Sequence, residues 1–475
     1  MTLYDGTNAP VIKVYLDTGN RNEGKFILNY SLLGGADTLG SYTPFTTLTQ
    51  FPTTDVKRIN IRKGRTREDQ EVQPGQMILT LDNTSGNYDP EWSNSSTITA
   101  ASGNGTTVTY TSATSFLKVG DVVTIVGLTA STLNLKLQTV TSVTSTQFTV
   151  SNSATGSCTG QTSAYFYGGY VNTSDASILI AGTGIRVTGT MSGGYETTLF
   201  SGFIESMDKD LSLEPTVTIT CVDALANLSK MFTNASVSGL GDADAVTKIL
   251  TSAGWQGTIV SDNNLYTVSN VPTGSAISMI NEITTKQLGL FFIDRYNRAI
   301  WQNGNSFATG AFASATKLFT LSDSRTSTSE IEYDSISVIG GEKYMRNTIN
   351  ATANYSATSS ATFTKFNSTS TGRFGPVAAD VDLYFSSTDA PTVAQNLANQ
   401  FASPEYRVDS ISFDCLGFSS ALWNNILVAD LGEAVIVKRT PIYAPELTYD
   451  SWVQEINHDI SPNNWRMSLT LSPAT

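Results

Sequence analysis

The chain contains a single histidine, His458, and this residue limits the acid–base chemistry that the protein could perform. A Ser-His-Asp or Cys-His arrangement would have to use it, because imidazole is the general base of those nucleophilic sites. His458 stands beside Asp459 in a segment with strand periodicity, and no Gly-x-Ser-x-Gly motif occurs in the sequence. We therefore predict that His458 is a structural residue of a β-strand whose ring is hydrogen-bonded.

Metal and phosphate sites have no signature in the sequence. A zinc site needs three or four ligands, and neither HxH, HExxH nor CxxC occurs. A phosphate-binding loop of the form Gly-x-x-x-x-Gly-Lys-Ser/Thr is also missing. Residues 82–90 gather carboxylate and amide oxygens, but their spacing does not fit the twelve-residue calcium loop and suits a tight turn. We expect no metal and no cofactor.

A glycosidase needs only two carboxylates roughly 5 to 10 Å apart, so a sequence cannot exclude this activity. Glu205, Asp223 and Glu455 lie on or beside predicted strands, and Trp and Tyr are numerous enough to line a sugar groove. Asp and Glu occur in every domain, however, so a chance pair proves nothing. We assign no catalytic, cofactor-binding or metal-binding residue, and the interpretation as an enzyme is the least favoured.

Composition indicates a β-rich protein with several domains. A chain of 475 residues is long enough for about three or four domains. Hydrophobic residues make up 40% and charged residues only 15%, with 37 Gly, which is typical of turn-rich β-structure. The net charge of −13 would repel phosphate backbones and anionic lipids, so nucleic acid is not expected as the main partner.

Basic residues cluster in one place, which an acidic run follows at once. These basic residues are Lys57, Arg58, Arg62, Lys63, Arg65 and Arg67. The acidic run is Glu68, Asp69 and Glu71. On an alternating strand the basic side chains would face opposite sides, so we predict a solvated or intersubunit hairpin.

The cysteines and the N-terminal segment bear on the cellular compartment. Cys158, Cys221 and Cys415 are far apart and odd in number, which favours buried thiols in a reducing compartment. Met1–Pro10 has no cationic segment followed by an apolar one, so no secretory signal is expected. No run approaches 18 apolar residues, which excludes a predicted membrane helix. We expect synthesis in a cytoplasm.

Alternation of apolar and polar residues predicts the strands of a first domain. They are Val11–Tyr15, Val56–Ile61, Met77–Leu81, Gly184–Thr188, Thr198–Glu205 and Val217–Val222. Residues 96–165 between them differ, because Thr, Ser and Gly dominate and charges are few. Short strands are predicted there at Thr107–Thr111, Val122–Val126, Thr139–Val143 and Gln147–Val150. We interpret this segment as a small β-module inserted into the first domain.

The periodicity becomes helical from about residue 236. One apolar stripe contains Val246, Ile249 and Leu250, and a second contains Met279, Ile280 and Ile283. A hairpin of Leu290–Ile293 and Ala299–Trp301 follows, which completes an α+β unit. The remaining predicted elements are strands at Ile331–Val338, Ser410–Phe413, Glu433–Lys438, Trp452–His458 and Arg466–Leu471, and a helix that begins near Pro391.

Seven stretches of this sequence resemble minor tail proteins from long-tailed bacteriophages of actinobacteria. They are Val56–Arg65, Gly75–Asn83, Tyr88-Asp89-Pro90, Phe200–Glu205, Ile219–Leu228, Val453–Ser461 and Trp465–Ser472. Their order and spacing cover nearly the whole chain outside the insert. The chain therefore resembles the tail hub family, which includes the baseplate hub of contractile tails. Residues 96–165 resemble small modules that decorate phage structural proteins, chiefly through Lys118–Ile125.

The resemblance implies a mainly β fold with an α+β middle. It implies two tail-hub-like β-barrel domains, an α+β domain and an inserted small β-module. We place the first hub domain in residues 1–95 and 166–235, and the module in 96–165. The α+β domain then covers 236–330, and the second hub domain, with one helix, covers 331–475.

The resemblance also implies a function. A tail hub is a structural protein of the virion tail tip and not an enzyme. It is a homotrimer that forms a ring, and this ring closes the tail tube. Its partners would be the distal tail protein, the tape-measure protein and the tail fibre or spike proteins, with indirect attachment to the host cell surface and transient passage of DNA. The alternative is a receptor- or carbohydrate-binding tail protein that uses exposed aromatics of the insert or of Tyr165–Tyr170; a glycan hydrolase comes third.

Overall fold

The computed structural model describes most of the chain. The described residues are 9–17, 48–50, 54–84, 88, 95–113, 117, 119–136, 138–168, 181–191, 194, 196–210, 214–356, 358–404, 406–415 and 417–474. Of these, only the backbone is described at 48–50, 95, 122, 167, 168 and 309. Strands make up 48% and helices 18%, which confirms the predicted mainly β class.

The first half of the chain is built almost entirely of strands. Before the insert these are β1 (Val11–Asp17), β2 (Leu48–Gln50), β3 (Val56–Gly64) and β4 (Gln73–Asp82). The insert contains β5 (Ser95–Asn104), β6 (Thr107–Ser112), β7 (Val122–Val126), β8 (Gln138–Val143), β9 (Gln147–Ser151), β10 (Thr155–Thr159) and β11 (Tyr165–Gly168). After it come β12 (Gly184–Thr190), β13 (Glu196–Asp210) and β14 (Thr216–Val222).

Helices and strands mix in the middle of the chain. The helices there are α1 (Leu225–Leu228), α2 (Asp242–Ser252), α3 (Ala276–Thr284) and α4 (Thr309–Ser314). The strands are β15 (Phe232–Thr233), β16 (Ile259–Ser261), β17 (Gly274–Ser275), β18 (Leu290–Ile293), β19 (Ala299–Gln302) and β20 (Lys317–Ser322). The predicted hairpin is β18 and β19, and β16 adds to it in parallel, so the α+β character of this region is confirmed.

The last part of the chain alternates strands with three helices. Its strands are β21 (Glu330–Glu332), β22 (Ser335–Ile339), β23 (Thr348–Ser356), β24 (Ser359–Phe366), β25 (Ala378–Leu383), β26 (Arg407–Asp414), β27 (Ala434–Arg439), β28 (Leu447–Ser461) and β29 (Asn464–Pro473). The helices are α5 (Ser368–Phe374), α6 (Ala390–Gln400) and α7 (Ser420–Val428). Only α6 was predicted.

One large sheet connects the two ends of the chain. Among the described strands, its main path is β2-β1-β12-β13-β14-β4-β3-β28-β27-β20-β21, and β29, β26 and β22 branch from β28. The strands of the two predicted hub domains therefore share one sheet, in which β3 pairs antiparallel with the second half of β28. Apolar side chains from both ends and from the α+β region form one core, so the division of this part into domains stays a prediction.

The insert is a closed barrel of its own. Its strands pair in the order β5-β11-β7-β8-β9-β6, the β5–β6 pairing closes the ring, and β10 adds to the outside of β5. Tyr110, Phe148 and Phe166 fill its interior as part of a separate apolar cluster. Because β5 and β11 pair with each other, the chain enters and leaves the barrel at the same place. Both features support the interpretation as an insertion.

Candidate functional site

Two strands from opposite ends of the chain meet in a charged seam, formed by β3 and the second half of β28. On the exposed face, Arg58 donates two hydrogen bonds of 2.7 Å to Asp459, and Arg62 donates two, of 2.9 and 3.0 Å, to Glu455. Asn60 donates to Asn457 between these pairs, at 2.9 Å. These residues alternate along their strands, so period two brings all of them to one face.

The buried face of the same seam contains an ion cluster. Lys63 Nζ donates to Asp430 Oδ1, and Arg295 Nε lies 3.4 Å from Asp430 Oδ2. Burial acts to raise the pKa of Asp430, but the two neighbouring cations outweigh it and hold the pKa below its usual value. Arg295 also donates to the carbonyl oxygen of Leu427, at 2.8 Å, which caps the last turn of α7. The cluster therefore fixes β3, the β18–β19 turn and α7 together.

His458 lies on the buried face of β28, as predicted. It is 3% exposed, and its Nδ1 accepts a hydrogen bond of 3.3 Å from Trp465 Nε1. Burial, with a smaller contribution from the charges of Lys63 and Arg295, lowers the pKa of His458 to about 3, and Asp430 opposes this shift. A neutral imidazole inside the core is a packing group, and no substrate can reach it.

The loop between β3 and β4 contradicts the prediction of a solvated hairpin at its basic residues. Arg65 is 2% exposed and donates to Gln454 Oε1 at 2.7 Å. Arg67 lies with its guanidinium carbon 3.8 Å from the centre of the Tyr344 ring. Glu68 accepts two hydrogen bonds, of 2.9 and 3.0 Å, from Arg407. The loop packs into the same subunit, and its partners come from distant parts of the chain.

The three carboxylates considered for glycan hydrolysis lie in different environments. Glu205 is exposed on β13, whereas Glu455 on β28 is paired with Arg62. Asp223 is buried, where its carboxylate accepts N–H groups of Gly75 at 2.8 Å and Leu225 at 3.0 Å. Burial raises the pKa of Asp223 to about 7, although these N–H groups act in the opposite direction.

Gly75 explains why Asp223 is held so tightly. A Cβ atom at position 75 would lie 2.6 Å from Asp223 Oδ2, a distance that forces one of the two to move. The absence of a side chain at Gly75 therefore lets the carboxylate reach the backbone of β4. Asp223 connects β14 to β4, and this contact assigns it a structural position.

Metal ligands do not assemble in the part of the chain that the structure describes: it contains no group of three or more His, Cys, Asp or Glu suited to a metal ion. Of the loop considered for calcium, residues 85–87 and 89–90 lie outside the described part. Cys221 and Cys415 are buried free thiols whose pKa burial raises, and Cys158 is partly exposed. Within the described helices, none is both long and apolar enough to cross a membrane.

The described aromatic side chains of the insert lie mainly in its interior. Tyr110, Phe148 and Phe166 are at most 1% exposed, and Tyr110 Oη donates to the carbonyl of Leu133 at 2.9 Å. Tyr165 is 38% exposed, whereas positions 169–170 lie outside the described residues. The described aromatics of this segment therefore serve mainly as the barrel core.

Sequence reasoning missed the partners of the seam and of the loop. No local pattern in the sequence indicates that these partners are buried and paired. They are Asp430, Arg295, Gln454 and Arg407. A polar residue inside an otherwise apolar stretch, as at Asp430 between Leu427 and Leu431, is the one signal that could have suggested a buried partner.

The sequence matches no protein-family model and no curated protein. Several solved structures align with it. A tail protein from Neisseria meningitidis aligns with a TM-score of 0.44 and 11% identity over 62% of this chain and 88% of that one. The 43 kDa tail protein of prophage MuSo2 from Shewanella oneidensis aligns with a TM-score of 0.48 and 10% identity over 90% of this chain and 96% of that one.

A third solved structure, prophage tail protein gp18 from Listeria monocytogenes, aligns with a TM-score of 0.38 and 9% identity over 62% of this chain and 86% of that one. These three structures are phage tail proteins, the class that the sequence resembles. Their identities are 9 to 11% and their TM-scores are below 0.5, so the alignments carry no argument about this chain.

Proposed function

We propose that this chain is a structural hub of the tail tip of a long-tailed bacteriophage, in which several copies form a closed ring. One observation carries the proposal. Six of the stretches that resemble phage tail proteins, spread from Val56 to Ser472, cover parts of β13, β14, β4, β3, β28 and β29. These strands are consecutive neighbours in the large sheet. Segments that are far apart in the sequence thus lie side by side in one part of the sheet. This supports an architecture shared with the tail proteins that these segments resemble.

The charged seam suits a structural role, because it holds distant parts of the chain together. It joins the first strands and the last strands of the chain by backbone pairing, by ion pairs on the exposed face and by the buried cluster at Asp430. We keep the division into a first hub domain of 1–95 and 166–235, a module of 96–165, an α+β domain of 236–330 and a second hub domain of 331–475. In this arrangement the module points away from the ring.

Ring formation requires exposed apolar groups that a neighbouring copy can cover. The loop between β27 and β28 presents two, because Ile442 is 84% and Tyr443 is 104% exposed. Tyr443 also holds a φ of 66°, a left-handed conformation that is unfavourable for a tyrosine. We assign this loop, Thr440–Glu446, to the contact between copies and name it the β27–β28 tip.

The proposed partners follow from the place at the tail tip. A trimeric ring would contact the distal tail protein, the tape-measure protein and the fibre or spike proteins, and would assemble in the host cytoplasm before joining the virion. The net charge of −13 would let DNA pass through the ring without binding to it, because the negative protein repels the DNA phosphates. We infer a non-enzymatic role, in which attachment to the host is indirect.

Electron microscopy tests the proposal. Purified protein should form closed rings in negative stain, following the preference of homo-oligomers for closed symmetry. Gold-labelled antibodies against the chain should bind isolated phage tails at the end of the tube. Labelling along the tail shaft or on the capsid would overturn the assignment.

A further inference from the structure

A cavity of about 460 Å³ opens where the β3–β4 loop meets α6 and the segment after β19. Its size falls within the range of pockets that hold small ligands or short peptide segments. Carboxamide side chains make up much of its wall, and Arg65 and Glu68 are its two charged residues. The carboxamides are Gln287, Asn305, Asn396, Asn399, Gln400 and Gln454. Neither the ring nor the seam uses this cavity.

Arg65 is a buried cation whose hydrogen bonds all go to neutral oxygens. Its Nε donates to Gln454 Oε1 at 2.7 Å, and its Nη1 donates to the carbonyls of Gly289 at 2.8 Å and Gln70 at 3.2 Å. Its Nη2 is buried and has no partner in the chain. A buried N–H group without an acceptor is costly, so this guanidinium favours a further acceptor oxygen, and a carboxylate oxygen is the strongest one.

The carboxylates near Arg65 are already engaged by other arginines. Glu68 accepts from Arg407, and Asp69 lies 2.8 Å from Arg346 Nη2. Arg67 also contacts Asp69, and Asp409 lies 3.9 Å from Arg407. Of these four arginines, Arg65 is the one without an ion-pair partner at hydrogen-bond distance among the described residues.

Gln287 offers the complementary group. Its Nε2 donates to Asp242 at 3.1 Å, which fixes the orientation of the amide and leaves Oε1 buried without a donor. The wall thus provides an unpaired donor on Arg65 and an unpaired acceptor on Gln287. A ligand that satisfies both needs an acceptor oxygen for Arg65 and a donor group for Gln287. A peptide with an acidic side chain has both, in its carboxylate and its N–H groups.

We propose that this cavity binds a carboxylate-bearing peptide segment of a partner protein, with the carboxylate at Arg65 and an N–H group at Gln287 Oε1. The unpaired Nη2 of Arg65 matches one carboxylate oxygen, and the carboxamide wall suits a peptide backbone. Both atoms are buried, so binding requires a shift of the exposed amide side chains of the wall. The inference is independent of the proposed hub role, since a single chain contains the whole cavity.

Fluorescence anisotropy of the full chain tests the site with two labelled probes, tetraglutamate and tetraglutamine. The acidic probe should bind about tenfold more tightly or better, because only it supplies the charge. Equal affinity for the two probes would overturn the proposal. Inorganic phosphate is added as a competitor, and displacement of tetraglutamate by phosphate at lower concentration than by acetate would overturn the assignment to a carboxylate.

Variants locate the binding. Arg65→Gln should reduce the affinity for tetraglutamate about tenfold and leave tetraglutamine unchanged. Because Arg65 is buried, replacing it can also unfold the protein, so the exposed wall residue Asn396 gives a second test. Asn396→Asp adds a negative charge to the wall. It should weaken the binding of tetraglutamate and leave that of tetraglutamine unchanged. Asn464→Asp, the same change in the β28–β29 turn, is the control. Equal effects of the two aspartates, or unchanged binding in a folded Arg65→Gln, would contradict the site.

Discussion

Lys63 and Asp430 form a buried ion pair in which each side chain is 8% exposed and Lys63 Nζ donates to Asp430 Oδ1. Lys63 belongs to β3, near the start of the chain, and Asp430 follows α7, near its end. Arg295 approaches the same carboxylate from the α+β region. One aspartate therefore compensates two buried cations that three parts of the chain bring together.

Replacing Asp430 by Asn should destabilise the protein by about 3 to 5 kcal/mol, because it leaves Lys63 and Arg295 buried without a counter-ion. Urea denaturation measures the free energy of unfolding. Asp459→Asn removes an exposed partner of Arg58 on the other face of the seam and should cost about 1 kcal/mol or less. Similar losses of unfolding free energy in the two variants would contradict the buried cluster as the main stabilising contact of the seam.

His458 should make stability depend on pH. Its folded pKa of about 3 lies below the unfolded value of about 6.5, so the unfolded state takes up the proton first as the pH falls. Its contribution to stability is complete above pH 6.5 and decreases toward pH 3, with a limiting slope of about 1.4 kcal/mol per pH unit. His458→Gln keeps an acceptor for Trp465 but does not titrate.

The measurement compares unfolding free energies of the two proteins between about pH 4.5 and 7.5, which covers the window in which the slopes differ. The wild type should lose stability on acidification faster than His458→Gln. Parallel curves would mean that the imidazole is accessible to protons in the folded state.

Removal of the inserted barrel should leave the rest of the chain folded. Its apolar cluster is separate from the main core, and its first and last strands pair with each other. A Gly/Ser linker in place of residues 95–168 should therefore preserve the β-sheet signal in circular dichroism, since loop closure depends only weakly on length. An insoluble deletion product would show that the module is part of the main core.

The β27–β28 tip should control assembly. Ile442→Asn with Tyr443→Asn removes two exposed apolar side chains, and Asn adopts the left-handed conformation of position 443 more readily than Tyr. We expect single subunits in place of rings by light scattering and microscopy, with an unchanged melting temperature. Tyr296→Asn, at another exposed aromatic, is the matched control. Rings that persist in the double variant would exclude the tip as the contact.

Local pattern was enough to predict the strands that alternate strongly. Val56–Ile61 and Val217–Val222 lie inside observed strands. The change in composition at residues 96–165 indicates a small β-module, but it does not indicate that the module closes into a barrel. The sheet of β23, β24 and β25 was missed because its buried face uses small residues such as Ala351 and Ala353, which give a weak hydrophobic signal.

Contacts between distant segments could not be predicted. The pairing of β3 with β28 joins residues nearly 400 positions apart, and strand periodicity does not state which strands are neighbours. For the same reason the sequence predicts a solvated or intersubunit hairpin for the basic cluster. Its run of alternating charge has the pattern of an exposed hairpin, and nothing nearby in the sequence indicates Asp430, Gln454 or Arg407 as partners.

The last prediction is that the protein does not cleave glycans. General acid–base catalysis needs a titrating group within reach of the substrate. His458 is buried beside Trp465, Asp223 is enclosed by backbone N–H groups, and Glu455 is bound by Arg62. Of the four groups considered, this leaves Glu205 as the exposed one, and a glycosidase needs two carboxylates.

The assay uses host peptidoglycan and surface glycans with the wild type, Glu205→Gln, Asp223→Asn and Glu455→Gln. We expect no turnover above background in any of them. Asp223→Asn should still lower stability, because an amide N–H would face the N–H donors of Gly75 and Leu225. Cleavage that is lost in one amide variant while the rings still form would establish an enzyme and replace the structural assignment.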